Sequence, residues 1–315
     1  MAFDVTALSA YIEDQDFPLI AQMQATGGLA SKVNIQTGIK GSSNLQFLDT
    51  DVIFQDGSAC TRTGSATTAF TQRTLTVGSV TIAEDLCIKD LNGYWLQTKL
   101  KQGFAGEQEV PMDIETVWLE QKMNKIQNAL TISDFQGDTL SGTNNLSYYD
   151  GLLKIVDAAA GVVPGNTGGV TVATTISTTN ILAILDAMWT AIPENITNAE
   201  DLTLWLPVRL YKMYVIALKN ANLFHYNGDD GQETLYGTSL KLGVTVGLPS
   251  AAGSERMIIA RDSNITIGMD GNEEEDDMKV RLDPVTDKKV LFDVDFKRGV
   301  QIAFPDEVVE FTLVP

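Results

Sequence analysis

The sequence predicts an α+β protein, with helices and strands grouped along different stretches of chain. Three observations carry that reading. Residues 111–133, "PMDIETVWLEQKMNKIQNALTIS", place apolar side chains at helical spacing over about six turns. Two other regions, 44–82 and 289–315, are dense in β-branched and aromatic residues. Between them, residues 145–260 mix short helical and short strand patterns.

Taken in order, residues 1–36 read as an arm. "VTALSAYI" (5–12) suits one short helix with Thr6 as its cap, and paired glycines in "ATGGLASKVNIQTG" then break any periodicity. "NLQFLDTDVIFQ" (44–55) and "TAFTQRTLTVGSVTI" (68–82) read as strands. Most connections in compact domains run only a handful of residues. Here residues 56–78 are crowded with Thr, Ser and Ala and nearly free of large apolar side chains, so the pair makes a long hairpin with a polar tip. Leu75 and Val77 share one parity and Val80 and Ile82 the other, which predicts a bulge or bend at Gly78.

"AEDLCIKDLNGYWLQTKLKQG" (83–103) has acids first and lysines last, the order that suits a helix dipole, with Asn92-Gly93 as an interruption. In 111–133, Pro111 fits a first turn, Asp113 and Glu115 lie early, and Lys122 and Lys125 later. Leu119, Met123, Ile126 and Leu130 form its stripe, and its length is about 33 Å.

"SYYDGLLKIVDAAAG" (147–161) is a short helix and "PGNTGGVTVATTIS" (164–177) loop and strand. "TTNILAILDAMWTAIP" (178–193) is a second helix, closed by Pro193. "DLTLWLPVRLYKMYVIALKN" (201–220) is a strand, then a helix opened by Pro207. "LYGTSLKLGVTVGLP" (235–249), "RMIIARDSNITIGMD" (256–270) and the C-terminal stretch from Lys289 read as strands, and "GNEEEDD" (271–277) as an acidic loop.

Composition excludes several functions. Asp plus Glu is 41 against 22 Lys plus Arg, a net charge of −19, which opposes binding to a phosphate backbone. No apolar run nears the roughly 18 residues of a membrane span. The N-terminus has neither the basic segment nor the continuous apolar core of a signal peptide. Two cysteines, Cys60 and Cys87, make no disulfide framework. The single histidine, His225, leaves no set of zinc ligands. No serine sits in a nucleophile elbow, and "GLASKVNIQTGIKG" and "GNTGG" lack the spacing of phosphate loops. "DGNEEEDD" (270–277) lacks calcium-loop spacing and reads as a solvated acidic loop. No catalytic, cofactor or metal site is expected.

The order of elements, arm, long hairpin, long helix, mixed block, acidic loop and closing strands, resembles the major capsid proteins of tailed bacteriophages, with the Hong Kong 97-type fold. "EDLCIKDLNGYWLQTKLKQG" is similar to that family's segment joining hairpin to long helix, and "LTLWLPVRLYKMYVIALKN" to its axial-domain strand and helix. "FDVDFKRGVQIAFPDEVVEFTLVP" is similar to the family's usual ending. The resemblance implies an N-terminal arm (1–36), an extended hairpin or E-loop (37–83), and a peripheral (P) domain (84–144) with its spine helix at 111–133. An axial (A) domain (145–260) and return strands of the P domain (261–315), with the acidic loop at 270–277, would complete it.

What the resemblance implies for function is a non-enzymatic subunit that self-assembles, through hexamers and pentamers, into an icosahedral shell around double-stranded DNA. An acidic shell lining fits densely packed DNA that must not be bound tightly. Expected partners are copies of the chain and portal, scaffold or cement proteins, with no sequence-specific nucleic acid and no membrane. Expected localisation is the virion capsid, assembled in the host cytoplasm. The chain starts close to the arm, which implies a separate scaffold or a propeptide absent from this sequence. The hairpin would reach over a neighbour, making Arg62, Phe70 and Arg73 the expected contacts. An encapsulin-like compartment shell, or another acidic self-assembling phage protein, is the alternative. Cys60 near the hairpin tip and Cys87 beyond its base are expected to stay unbonded. Some family members weld their shells through an E-loop lysine; here no lysine lies between Lys40 and Lys89, which implies noncovalent joints.

Overall fold

The computed structural model describes residues 28–50, 52–54, 68–87, 114–166, 175–221, 234–251, 253–270, 277–284 and 289–313. The arm helix expected at 5–12, the hairpin tip with Cys60 and Arg62, His225 and most of the acidic run lie outside them.

The first sheet is organised by β11 (Lys289–Ile302). Val290, Phe292, Val294 and Phe296 fall at every second position and are buried, so the strand has one apolar face. On one edge, antiparallel β4 (Gly78–Cys87) pairs with it from Lys289↔Cys87 to Arg298↔Gly78. On the other edge, β10 (Asp277–Leu282) and β9 (Ile265–Met269) follow each other, both antiparallel. β1 (Asn34–Gln36) adds in parallel to β9. The helix α1 (Ile114–Gln136) covers this sheet. Its Leu119, Ile126 and Leu130 share a core with Phe292, Val294 and Phe296, and Trp118 meets Phe292 edge-on at 5.3 Å.

The second sheet runs β5 (Val163–Pro164), β12 (Val309–Thr312), β8 (Arg256–Arg261), β6 (Leu202–Pro207), β7 (Lys241–Thr245). β6, "LTLWLP", is buried along its whole length because both faces are covered. Leu204 and Leu206 pack with α3 (Ile181–Thr190) and α4 (Val208–Asn220). On the opposite face Trp205 packs with Phe135, α2 (Leu152–Ala158) and residues of β9 and β11. The two sheets therefore share a core.

The hairpin β2 (Ser42–Thr50) and β3 (Thr68–Thr76) forms a separate two-stranded sheet. Here the structure corrects the sequence reading. The stretch 68–82 is two strands: β3 in the hairpin, then β4 in the first sheet after Val77. The strand expected over 44–55 ends at Thr50, and residues 52–54 are not strand. Ala83–Cys87, expected to open a helix, continue β4. Their acids find ion-pair partners rather than a helix dipole: Glu84 pairs with Lys122 of the covering α1 and Asp85 with Lys289 of β11 at 3.1 Å. The closing strands also divide. β12 joins the second sheet, while β9 to β11 stay in the first.

Candidate assembly surface

The hairpin is held at its base and free along its outer face. At the base, Val77 N–H donates to Gly41 O at 2.9 Å and Ile39 N–H to Met269 O at 3.2 Å. Gln301 Nε2 donates to Thr74 O at 2.7 Å. Ile39, Leu75 and Val77 form a small buried cluster. Two glycines let backbones meet here: a Cβ on Gly299 would strike the carbonyl oxygen of Thr76, and one on Gly78 that of Tyr148.

Beneath that junction lies a buried ionic cluster. Arg298 of β11 donates from Nε and Nη2 to the two carboxylate oxygens of Asp134 on α1, each at 2.7 Å. The Tyr149 hydroxyl donates to Asp134 Oδ1 at 2.8 Å. All three side chains are buried. Burial pushes the Tyr149 phenol well above its usual pKa. Burial acts to lower that of Arg298, but the Asp134 carboxylate outweighs it and the net shift is upward. The cluster ties the end of α1, the 138–151 turn and β11 together at the level where the hairpin departs.

Above the base the ladder runs in register from Ser42↔Thr76 to Thr50↔Thr68. Strand alternation gives it two faces. Leu45, Phe47, Arg73 and Leu75 turn toward the body, and the Phe47 ring meets Phe304 at 5.0 Å, tilted by 58°. Asn44, Gln46, Leu48, Phe70, Gln72 and Thr74 turn to solvent. Leu48 and Phe70 are directly opposite each other, and Phe70 is 82% exposed. Beyond β2, Val52 and Phe54 are 72% and 96% exposed, with Ile53 between them at 52%. An exposed apolar run of this kind is a candidate interaction surface.

A second feature lies on the body. Between α1 and β4 a groove of about 250 Å³ has a floor that includes Val80, Ile82, Ile126 and Phe296, with Lys122, Lys125 and Tyr148 also lining it. Lys125 and Tyr148 are exposed. Burial lowers the pKa of Lys122. Among the described residues no cluster of His, Cys, Asp and Glu is arranged to hold a metal, no helix is long and apolar enough to cross a membrane, and Cys87 is a free thiol.

No protein-family model matches the chain, and no curated protein does. Solved structures do. The capsid protein of the native GTA particle aligns over 91% of this chain and 90% of that one, at 15% identity and a TM-score of 0.60. The subunit of the satellite phage P4 procapsid, solved with its size-determination (Sid) protein, aligns over 93% and 97% at 12% identity, TM-score 0.59. The fold is the Hong Kong 97-type capsid fold. The same Hong Kong 97-type architecture aligns with the holo-SrpI encapsulin of Synechococcus elongatus PCC 7942 over 91% and 86%, at 11% identity and a TM-score of 0.52.

Of the contacts expected from sequence, Phe70 stands on the outer face of the hairpin and Arg73, opposite Leu45, is half-buried on its inner face; Arg62 lies outside the described residues. The structure adds Leu48, Val52, Ile53 and Phe54. Their signal was in the sequence: "DVIFQD" sets three consecutive apolar residues between acids, a pattern that an alternating half-buried strand does not need.

Proposed function

We propose that this chain is the major capsid protein of a tailed phage, a subunit that builds an icosahedral shell around double-stranded DNA. The observation that carries the reading is the pairing of a capsid fold over nine-tenths of the chain with a hairpin that leaves the apolar pair Leu48 and Phe70, and Val52–Phe54 beyond it, uncovered. A fold alone assigns no activity, but a surface that is apolar and exposed in the single subunit calls for a partner. In this reading residues 1–36 are the arm, 37–83 the E-loop, 84–144 and 261–315 the P domain and 145–260 the A domain. Arg62, Phe70 and Arg73 contact the neighbouring subunit. Partners are copies of the chain in hexamers and pentamers, with portal, scaffold or cement proteins, and assembly is in the host cytoplasm. The chain acts by assembly rather than catalysis.

Electron microscopy of the purified protein tests this. Closed polyhedral shells are the expected result, and a protein that stays monomeric or forms only tubes overturns the proposal. The encapsulin likeness supports a second reading, a protein compartment. Particles from the natural source that carry protein cargo and no DNA would favour it.

A further inference from the structure

Two features of the described residues match. The first is the run Val52–Ile53–Phe54, with Phe54 almost wholly exposed. In sequence it is bracketed by Asp49 and Asp51 on one side and Asp56 on the other. The second is the groove between α1 and β4, apolar on its floor and edged by Lys122 and Lys125. Lys122 is paired with Glu84, whereas Lys125 has no ion-pair partner among the described residues.

We infer that this groove is the socket for residues 52–54 of a neighbouring copy, with Phe54 on the apolar floor and Lys125 facing the bracketing aspartates. The inference rests on the shell reading and names the joint. Size agrees: an apolar cavity of about 150 Å³ accepts a benzene ring, so about 250 Å³ holds a phenyl ring and part of an aliphatic neighbour. Charge agrees as well, since in a chain of net charge −19 a lysine-edged apolar groove is a selective place for an apolar segment flanked by acids. A second copy supplies both parts. Phe54 touches almost nothing in its own subunit, so plug and socket are two different patches of one surface. Such a contact is heterologous, passing from each subunit to the next, and closes into rings when the rotation allows.

The test uses the full chain with Cys60 and Cys87 changed to Ser. Phe54→Cys and Lys125→Cys are combined, particles are assembled and oxidised mildly, and the linked peptides are identified. The expected result is an intersubunit disulfide joining positions 54 and 125. Particles that assemble without that link overturn this inference alone; so does a socket occupied by the N-terminal residues or by a separate protein. A chain that never leaves the monomeric state overturns the shell reading together with it. A second pair of variants needs no cysteine. Phe54→Ala raises the concentration needed for assembly about tenfold or more, as loss of an anchor residue does. Lys125→Glu also weakens assembly, and Asp51→Lys with Asp56→Lys restores it. Failure of the charge swap to restore assembly counts against the socket.

Discussion

At the scale of single residues, the stability of the body turns on groups that were polar letters in an apolar context. Arg298 and Asp134 are both fully buried and bonded in a two-pronged pair. Taking away one partner leaves an uncompensated buried charge, which costs about 3–5 kcal/mol. Asp134→Ala and Arg298→Ala are therefore each expected to lower the denaturant midpoint steeply. The joint change to Asp134→Leu with Arg298→Met should be far milder than their sum; an additive double variant would disprove the coupling. Gly78 and Gly299 make a different point. An added methyl group at either meets a carbonyl oxygen of the backbone, not a flexible side chain, so each Ala variant should lose about 1–3 kcal/mol, read by thermal unfolding. A third residue sets a pH dependence. Arg261 lies 3.1 Å from Asp201 and 3.7 Å from Glu307, so one guanidinium serves two carboxylates. Burial raises the Glu307 carboxyl above its ordinary range, and Arg261 offsets this only in part. The folded protein thus binds that proton more tightly than the unfolded chain. Its contribution is favourable below the ordinary carboxylate range and is lost as pH rises through the raised value. Glu307→Gln should match wild type in mild acid and exceed its melting temperature at neutral pH. A gap that stays constant from acid to neutral would refute the assignment.

At the scale of elements, the proposed function makes the hairpin a part completed by a neighbouring subunit. Leu48 and Phe70 are solvent-facing, so Leu48→Ser and Phe70→Ser should change subunit stability by no more than about 0.5 kcal/mol while reducing assembly. A large loss of stability would mean that the outer face is not free. Trypsin should cut unassembled subunits at Arg62 and spare it in particles, while Arg73, half-buried in the β2–β3 ladder, resists in both states; equal protection of Arg62 in both states counts against the seam. These elements were partly legible beforehand. α1, α3, α4 and β6 follow their sequence patterns closely because each owes its form to one apolar stripe or one apolar run. β4 was misread beyond Ile82 because its acids come before lysines in sequence. Their actual partners, Lys122 and Lys289, lie 38 and 204 residues away, and no local rule reaches that far. The break at Gly78 could be seen as a change of parity, but the Tyr148 carbonyl that requires glycine there is supplied by a turn 70 residues on.

At the scale of the whole molecule, order of elements was the informative signal, and short motifs were not. The return of β12 to the second sheet beside β8 and β6 was out of reach, because a closing strand of alternating apolar residues fits either sheet equally well. On the proposed shell reading, the sequence also bears on how the subunits are joined. A covalent weld between subunits needs a lysine amine on the hairpin, kept neutral by burial so that it can attack. The chain has no lysine between Lys40 and Lys89, and the arginines there cannot replace it because a guanidinium keeps its proton. The joints of the proposed shell are then expected to be apolar burial, backbone pairing and ion pairs, each modest and repeated at every subunit. Particles boiled in detergent with reductant should run as a single band at the monomer mass. A ladder of oligomers that survives the reductant would show that another residue supplies the weld, and would overturn the noncovalent account of the proposed shell.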